Sequence, residues 1–495
     1  MAESVAFEDL AEGAHFVTGT SDAQRNAMLE QRKSARRLAV PTNDVQVRAR
    51  LREYGEPMTV FAEREGDRRA RLQEVMMVQG SSTLKNIPQA ADEDWSEDEE
   101  EFFTEGDAAL LAARRRMAAF SLARAKRRIA NQRVQAKIPM QQVAAARKAV
   151  LDPLKAYASL GSQVGGERPI SVVRFSPDAQ LLATGSWSGN AALWSVPDAS
   201  QKATYVAHED RVTGLAWHPR ATIGQSSAAV NLGTGGGDGM VNLWSLDSEQ
   251  PLRRMAGHEA RVARIAFHPM GDYLASASFD GTWRLWDVES GQTLMVQEGH
   301  SREVYAVDFQ CDGALLVSGG LDAIGRVWDT RTGRTAMVLD GHAREILSAV
   351  FAPNGYQIAT ASGDDTIRIW DMRKLSSIYT IPAHRSSVSD VRFYYAGNER
   401  APVPPSWTSR TDPMDVESDT GARDADAPLH VNTAGLYLAS SGYDGLVKVW
   451  SADDWQLTTS LSGDSGKVMS VDISADGKYL ASGEWARTFK LWGDL

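Results

Sequence analysis

Histidine and aspartate recur in a fixed order through the C-terminal two thirds of this chain, and such side chains can bind a metal or exchange protons. Seven of the nine histidines fall at repeating positions. Five follow Gly or Ala and two precede proline: His208, His258, His300, His342 and His384, then His218 and His268. Zinc sites bring ligands together in close sequence pairs, and no such set occurs here. The even distribution indicates that the histidines serve a repeat and not a metal centre.

Other motifs resemble phosphate-binding or catalytic sites, but each lacks a neighbouring feature that such a site requires. The string "GTGGGDG" (233–239) is rich in glycine, but no helix pattern follows it to bind a phosphate. The pair "GK" at 466–467 precedes Val468 and not Ser or Thr, which excludes a Walker-type loop. No glycine-flanked nucleophilic serine is present. The sequence predicts a protein that is not an enzyme and that needs no cofactor.

A tryptophan marks the repeat that contains these histidines. It recurs in the strings "NAALWS", "MVNLWS", "TWRLWD", "IGRVWD", "TIRIWD", "LVKVWS" and "TFKLWG", at spacings of 50, 42, 42, 42, 80 and 42 residues. The pattern is a 42-residue unit in seven copies, with a short insertion in the second copy and a long one in the sixth.

Each copy reads as a set of antiparallel strands. In "RIAFHPMGDYLASASFDGTWRLWD", apolar residues alternate with polar ones between Pro/Gly and Asp-Gly turns. These features resemble the WD40 repeat, and seven copies imply a seven-bladed β-propeller. The resemblance also implies a buried hydrogen-bond network of the repeat histidine, the turn aspartate and the tryptophan. The candidate sets are His258, Asp280 and Trp286; His300, Asp322 and Trp328; and His342, Asp364 and Trp370.

The seventh copy lacks a fourth strand, so we expect an upstream segment to supply one. "YASLGSQV" (157–164) stands in the fourth-strand position before the first repeat. Pairing of this segment with the last blade would close the ring and remove an open edge. The seventh copy is also degenerate, since Ala486 replaces the turn aspartate and the histidine is missing. We therefore expect its closure to depend on strand pairing.

Aromatic and basic residues beside the Asp-Gly turns form a candidate partner-binding rim. Aromatic side chains are enriched at the centres of interfaces. Covering the strand ends is the alternative role. Arg211 and Arg261 would make one side of the rim positive, and Glu303 and Glu345 the other side negative. The rim candidates are Trp187, Arg211, Arg261, Phe279, Tyr443 and Trp485.

The region before the propeller separates its charges. Residues 92–107 contain ten acidic and no basic side chains, whereas residues 108–151 contain eleven basic and no acidic ones. The basic segment is rich in alanine and predicts a helix that breaks near Pro139. Three partners remain open: RNA, an acidic protein surface, or the acidic run folding back. The candidate contacts to RNA or another anionic partner are Arg114, Arg115, Arg116, Lys126, Arg127 and Arg128.

Residues 40–72, "VPTNDVQVRARLREYGEPMTVFAEREGDRRARL", predict a helix, a short extended segment and a second helix. Forty residues have little core of their own, so we expect this element to fold firmly only against a partner. Its arginines either meet that partner or form an ordinary solvated face. The candidate partner-binding residues are Val47, Arg48, Leu51, Arg52, Tyr54, Phe61, Arg68, Arg69 and Leu72.

This stretch resembles the splicing-factor motif of a family of WD40 subunits of the U4/U6 small nuclear ribonucleoprotein. Strings such as "ERPISVVRFSP" (167–177), "GLDAIGRVWDTRTGR" (320–334) and "YTIPAH" (379–384) are similar as well. The resemblance implies a nuclear, non-catalytic scaffold of the U4/U6 and U4/U6·U5 tri-snRNP. Its implied partners are the subunit that holds the U4/U6 duplex, a cyclophilin, other tri-snRNP proteins, and U4/U6 snRNA directly or indirectly. The alternative is a WD40 substrate receptor or scaffold of a ubiquitin-ligase or chromatin complex.

The predicted fold class is an all-β seven-bladed WD40 β-propeller preceded by an α-helical N-terminal region. A single cysteine, Cys311, and the absence of a signal peptide favour a reducing compartment, and no apolar run predicts a membrane span. The expected domains are an N-terminal arm with a short helix (1–37), the helix-turn-helix splicing-factor motif (38–80), an acidic linker (81–107), a basic helix (108–152) and the propeller (153–495), which contains a disordered loop (397–432).

Overall fold

A computed structural model describes residues 44–54, 66, 68–73, 75–76, 107–396, 432–462 and 466–494. The predicted N-terminal arm (1–37) lies outside these residues, as do the acidic linker apart from Asp107, the predicted loop apart from Asn432, and Phe61.

Among the described residues before the propeller, three helices have defined bounds: α1 (Asp44–Glu53), α2 (Ala108–Gln135) and α3 (Met140–Lys155). Asp107 caps α2, since its carboxylate accepts a hydrogen bond from the amide of Ala108 at 2.8 Å. Pro139 is the N-cap of α3, so the predicted break near this proline is confirmed. A further helical segment lies within residues 66–76.

Twenty-eight strands make up the rest of the described chain. Their bounds are β1 (Ala158–Val164), β2 (Ile170–Phe175), β3 (Leu181–Ser186), β4 (Asn190–Ser195), β5 (Gln201–Val206), β6 (Val212–Trp217), β7 (Leu232–Gly236), β8 (Val241–Trp244), β9 (Arg253–Met255), β10 (Val262–Phe267), β11 (Tyr273–Ser278), β12 (Trp283–Asp287), β13 (Thr293–Gln297), β14 (Val304–Phe309), β15 (Leu315–Gly320), β16 (Ile324–Asp329), β17 (Thr335–Asp340), β18 (Ile346–Phe351), β19 (Gln357–Ser362), β20 (Thr366–Asp371), β21 (Ser376–Pro382), β22 (Val388–Phe393), β23 (Tyr437–Gly442), β24 (Leu446–Ser451), β25 (Leu457–Ser462), β26 (Val468–Ile473), β27 (Tyr479–Glu484) and β28 (Thr488–Gly493).

The strands form seven four-stranded antiparallel sheets, which confirms the predicted seven-bladed propeller. Blades 1 to 6 take consecutive strands from β2 to β25, and blade 7 contains β26, β27, β28 and β1. We letter the strands of a blade a to d in the order of their hydrogen bonding, with strand a at the ring centre. Because strands alternate in direction, the d–a loops and b–c turns lie on one face of the ring and the a–b turns on the other. We call these the b–c face and the a–b face.

The ring is closed as predicted, by a strand that precedes the first repeat. β1 pairs with β28 from Ala158 opposite Gly493 to Val164 opposite Thr488, with an irregularity between Ser159 and Gly161. Since α3 continues to Lys155, the propeller strand begins at Ala158, five residues after the expected domain start at 153.

The predicted histidine network is confirmed in blade 3. Nδ1 of His258 lies 2.7 Å from Asp280, and its Nε2 lies 2.6 Å from Oγ of Ser276. Nε1 of Trp286 donates to the same Ser276 oxygen at 2.7 Å. The network joins the loop before strand a to strands b and c, so it fixes the blade from within. Blades 2, 4, 5 and 6 repeat it around His208, His300, His342 and His384.

Blades 7 and 1 lack the histidine and aspartate of this network. They keep its tryptophan bond, from Trp492 to Ser482 and from Trp194 to Thr184, both at 2.9 Å. In blade 7 the buried Glu484 accepts from Thr488 at 3.0 Å and pairs with Lys490 at 3.4 Å. In blade 1, Gly166 stands at the histidine position and Ser188 at the aspartate position. Sequence analysis found the loss in blade 7 and missed it in blade 1, although "GGERP" and "WSGN" carry the signal.

The helices of the described residues are all too short or too polar to cross a membrane.

Candidate interaction surfaces

The N-terminal motif has a small apolar core. Val47 and Leu51 of α1 and Leu72 of the second helical segment are buried together, with Tyr54 and Met76 packed against them. Val47, Leu51 and Tyr54 share one side of α1 because they are four and three residues apart. The two helices therefore hold each other, and the cluster is separate from the clusters of the blades.

The predicted partner-binding arginines of this motif divide into two groups. Arg48 and Arg52 are exposed, whereas Arg68 is only 6% exposed and belongs to the interior of the motif. Arg69 donates to the carbonyl of Ser301 at 3.4 Å, which ties the motif to the b–c face beside blade 4. In this conformation a partner protein can reach the side chains of Arg48 and Arg52, but it cannot reach that of Arg68.

Helix α2 lies against the propeller through its apolar side. Leu110, Ala113 and Met117 are buried in one cluster with Tyr273 and Met295 of blade 3. The partner of this apolar side of α2 is therefore the propeller.

Polar contacts extend this attachment across the a–b turns of three successive blades. Arg116 pairs with Asp272 of blade 3, and Arg124 donates to the carbonyl of Cys311 in blade 4 at 3.2 Å. One turn further on, Arg128 pairs with Asp312 of blade 4 at 2.7 Å and also donates to the carbonyl of Asn354 in blade 5 at 2.8 Å. Gln132 donates to that same carbonyl at 2.8 Å.

The attachment of α2 to the ring separates the six basic residues that were predicted to bind an anionic partner into two groups. Arg116 and Arg128 have carboxylate partners in the propeller, and Arg114 is partly buried beside Met295, whose sulfur lies 3.5 Å from its Nη2. Arg114 and Arg128 thus face the ring in this structure, whereas Arg116 keeps 59% of its side chain exposed. A role of these three residues in binding an anionic partner stays a prediction. Arg115, Lys126 and Arg127 are exposed and stay candidates.

Helix α3 carries the chain from the a–b face to the closure. Arg147 pairs with Asp453 at 2.9 Å and donates to the hydroxyl of Ser451 in blade 6 at 2.6 Å. Leu154 and Tyr157 are buried among residues of blades 6 and 7. The helical region and the closing strand are thus fixed to the same blades.

Three of the predicted rim aromatics meet at the closure on the b–c face. The rings of Trp187 in blade 1 and Trp485 in blade 7 lie 4.9 Å apart at an interplanar angle of 78°. Nζ of Lys467 lies 5.2 Å from the Tyr443 ring and 5.6 Å from that of Trp485. Trp485 is still 44% exposed. We call these four residues and Arg211, whose guanidinium lies 5.1 Å from the Trp187 ring, the closure cluster.

The rest of the rim is less polarised than the sequence suggested. The guanidinium of Arg261 lies 3.7 Å from the centre of the Phe279 ring. The two rim candidates of blade 3 therefore contact each other. On the expected negative side, Glu303 lies 3.5 Å from Arg302, and Glu345 lies 3.6 Å from Arg344. These adjacent arginines offset the two glutamates, as Asp210, 3.6 Å away, offsets Arg211. The closure cluster is therefore distinguished by its aromatic rings and not by net charge.

A buried charge network in the central channel has no counterpart in the sequence analysis. Asp390 of blade 6 lies 3.0 Å from Arg174 of blade 1, 3.8 Å from Arg264 and 3.9 Å from Arg392. Ser470 donates to it at 2.8 Å. Burial by itself raises the pKa of this carboxyl, but the three arginines outweigh burial and hold its pKa below the usual range. Asp390 is therefore ionised at neutral pH and joins blades across the channel.

A cleft of about 550 Å³ lies between blades 2 and 3 beside α2. Its lining includes three arginines (Arg116, Arg220 and Arg253) and three carboxylates (Asp272, Asp287 and Glu289). This balance favours neither anions nor cations. Within the described part of the chain, no group of three or more His, Cys, Asp or Glu side chains is placed to hold a metal ion.

Two family profiles match the chain. One, described as pre-mRNA processing factor 4 (PRP4) like, matches residues 47–75. The other, the WD domain or G-beta repeat, matches 159–195, 199–245, 249–287, 291–329, 333–371, 428–451 and 455–493, which together exceed half of the chain.

Curated relatives are similar over part of their length. A human protein named U4/U6 small nuclear ribonucleoprotein Prp4 is 40% identical over 201 residues, which cover 40% of this chain and 38% of the relative. The U4/U6 small nuclear ribonucleoprotein PRP4 of Saccharomyces cerevisiae is 33% identical over 231 residues, or 44% and 49%. An uncharacterised WD repeat-containing protein of Schizosaccharomyces pombe is 41% identical over 185 residues, or 37% and 39%. The chain thus matches 38 to 49% of the length of these relatives.

Proposed function

The chain belongs to the WD40-repeat family and carries a PRP4-like motif, and we propose that it is a non-catalytic scaffold of the U4/U6 small nuclear ribonucleoprotein in pre-mRNA splicing. We extend the proposal to the U4/U6·U5 tri-snRNP and to a nuclear location. The observation that carries it is the PRP4-like match at 47–75 in one chain with seven WD40 repeats. Propellers serve many functions, so the motif and not the propeller is the feature that indicates a role in splicing.

The geometry supports a scaffold with separate binding modules. The motif has its own apolar cluster, and its described side chains contact the ring through Arg69 and Ser301. The ring is rigid, because five blades contain the histidine network and the channel holds Asp390 against three arginines. A motif attached to a rigid ring can hold one partner while the ring holds another.

We assign the proposed partners to two surfaces, the N-terminal motif and the closure cluster. Arg48 and Arg52 of the motif and the closure cluster would contact proteins of the particle: the subunit that holds the U4/U6 duplex, a cyclophilin, or other tri-snRNP proteins. Names of relatives support association with the particle and do not choose among these proteins. Contact with U4/U6 snRNA is direct or passes through those proteins.

RNA sequencing after immunoprecipitation of the full chain tests this proposal. We expect U4 and U6 RNAs to be enriched together over other small nuclear RNAs. A substrate receptor of a ubiquitin-ligase or chromatin complex, the second candidate, shares the propeller and would enrich neither RNA. Absence of both RNAs from the precipitate would overturn the splicing proposal.

A further inference from the structure

The outward side of α2 carries a regular stripe that no contact with the ring explains. Leu111 is 52% exposed, Leu122 60% and Ile129 43%, although large apolar side chains are normally buried. Exposed basic residues alternate with them along the same helix: Arg115, Lys126 and Arg133. Single exposed apolar residues need no explanation, but these three recur on one side of the helix at spacings of 11 and 7 residues, which match whole turns.

The helical period places all six residues on one line. At 3.6 residues per turn they fall within about 60° of one another around the axis and extend over about 33 Å. The side that binds the ring, which contains Leu110, Met117 and Arg128, lies about 130–150° from the middle of the stripe by the same estimate. One helix therefore has two separate binding sides, and the described structure uses one of them.

The stripe is held ready for a partner. Contacts of Arg116, Arg128 and Gln132 with three blades fix the helix along its length, so docking on the opposite side orders few additional groups. Residues 108–151 contain no Asp or Glu, so the exposed cations have no acidic neighbour on their own helix.

We propose that this stripe is a docking site for an acidic amphipathic helix of a partner protein. Leu111, Leu122 and Ile129 would meet the apolar side of that helix, and Arg115, Lys126 and Arg133 would meet its flanking carboxylates. RNA fits less well, because phosphates pair with cations and gain nothing from leucine and isoleucine between them. The site goes beyond the proposed splicing role, which does not depend on it.

Photo-crosslinking from position 122 of the full chain tests the site in cells. A photoreactive phenylalanine analogue replaces Leu122, and in a matched chain it replaces Val206, which is 77% exposed on the outermost strand of blade 1. We expect position 122 to crosslink to one segment of another polypeptide that is rich in Asp and Glu, with apolar residues at helical spacing. Crosslinks to RNA or to residues 92–106 of the same chain, or crosslinks no stronger than those from position 206, would overturn the proposal.

A double substitution in the stripe, compared with a control substitution, tests the site even if crosslinking is inefficient. Leu122→Glu with Ile129→Glu should reduce co-purification of the crosslinked protein at least tenfold, while Val206→Glu should leave it unchanged. Thermal unfolding should match the wild type in both chains, since all three side chains are exposed. Equal co-purification by both variants would also overturn the site. Enrichment of U4 and U6 RNAs with the unmodified chain is scored separately, so failure of the splicing role and failure of the stripe are distinguishable.

Discussion

The guanidinium of Arg128 and the carboxylate of Asp312 lie 2.7 Å apart, with the arginine side chain 20% and the aspartate 4% exposed. This pair fastens helix α2 to blade 4. In the sequence, Arg128 is one of eleven cations in an acid-free segment and is indistinguishable from an anion-binding residue. In the fold it is a structural residue.

Replacing this arginine should loosen α2. Arg128→Ala leaves the Asp312 carboxylate buried and unpaired, which costs about 3 kcal/mol of unfolding free energy. We expect a lower midpoint in urea and faster proteolysis within residues 108–138. Arg127→Ala, next to it and exposed, is the control and should behave as wild type. Equal effects from both variants would show that the ion pair does not hold the helix.

The channel aspartate should be among the most sensitive positions of the ring. Asp390→Asn removes the carboxylate that lies 3.0 to 3.9 Å from Arg174, Arg264 and Arg392. Buried cations without a partner destabilise strongly, by about 3–5 kcal/mol. Urea denaturation followed by tryptophan fluorescence measures the loss. Asp198→Asn at an exposed position should change stability by less than about 0.5 kcal/mol.

Removal of a closure tryptophan should weaken binding more than folding. Trp485→Ala removes a 44% exposed ring that contacts Trp187, while Tyr379→Ala removes an equally exposed ring from the outer strand of blade 5. We expect at least a tenfold loss of U4 and U6 RNA enrichment with Trp485→Ala, and no change with Tyr379→Ala. A normal enrichment by Trp485→Ala would leave the cluster with the role of covering strand ends.

A buried histidine should make the fold sensitive to mild acid. Nε2 of His268 donates to the carbonyl of Gly313 at 2.9 Å, while its Nδ1 accepts from the amide of Met270 at 3.1 Å. Burial is the main cause that lowers the pKa of His268 to about 4. The unfolded chain takes up this proton near pH 6.5, which the folded chain excludes until pH 4. Its contribution to stability is therefore complete above pH 6.5 and decreases as the pH falls towards 4.

The same position in blade 4 supplies the test of this titration. Gln310 stands where His268 stands in blade 3 and donates to the carbonyl of Gly355, so glutamine is accommodated there. His268→Gln should fold and should lose less stability than the wild type between pH 6.5 and 4. The difference is on the order of 3 kcal/mol at the lower limit. Identical pH profiles in urea denaturation would show that His268 does not contribute.

Deletion of the N-terminal motif should leave a folded ring. The cluster of Val47, Leu51 and Leu72 shares no member with the blade clusters, so removal of residues 40–80 exposes little of the propeller core. We expect an unchanged melting temperature of the propeller together with loss of a partner protein. Aggregation of the shortened chain would instead assign the motif a structural role, and retention of every partner would exclude it from binding.

Local patterns in the sequence determined the fold class and much of the detail within each blade. A 42-residue period, two-residue alternation and Asp-Gly turns predict antiparallel blades, because each of these signals acts over a few residues. The closure by β1 followed from register within the repeat, and the set His258, Asp280 and Trp286 followed from the resemblance to the WD40 repeat. The break between α2 and α3 followed from Pro139.

Tertiary structure alone decided which charges face each other. Asp390 and Arg174 are more than two hundred residues apart in the chain, and Arg128 meets Asp312 only because α2 crosses the a–b turns. The cations of α2 look alike in the sequence, since no local rule says which side of an all-basic helix is covered. Packing of Leu110 and Met117 against blade 3 makes that choice, and it leaves Leu122, Lys126 and Ile129 facing outward. Periodicity specifies the elements, and only the packed ring specifies which of their charges are buried.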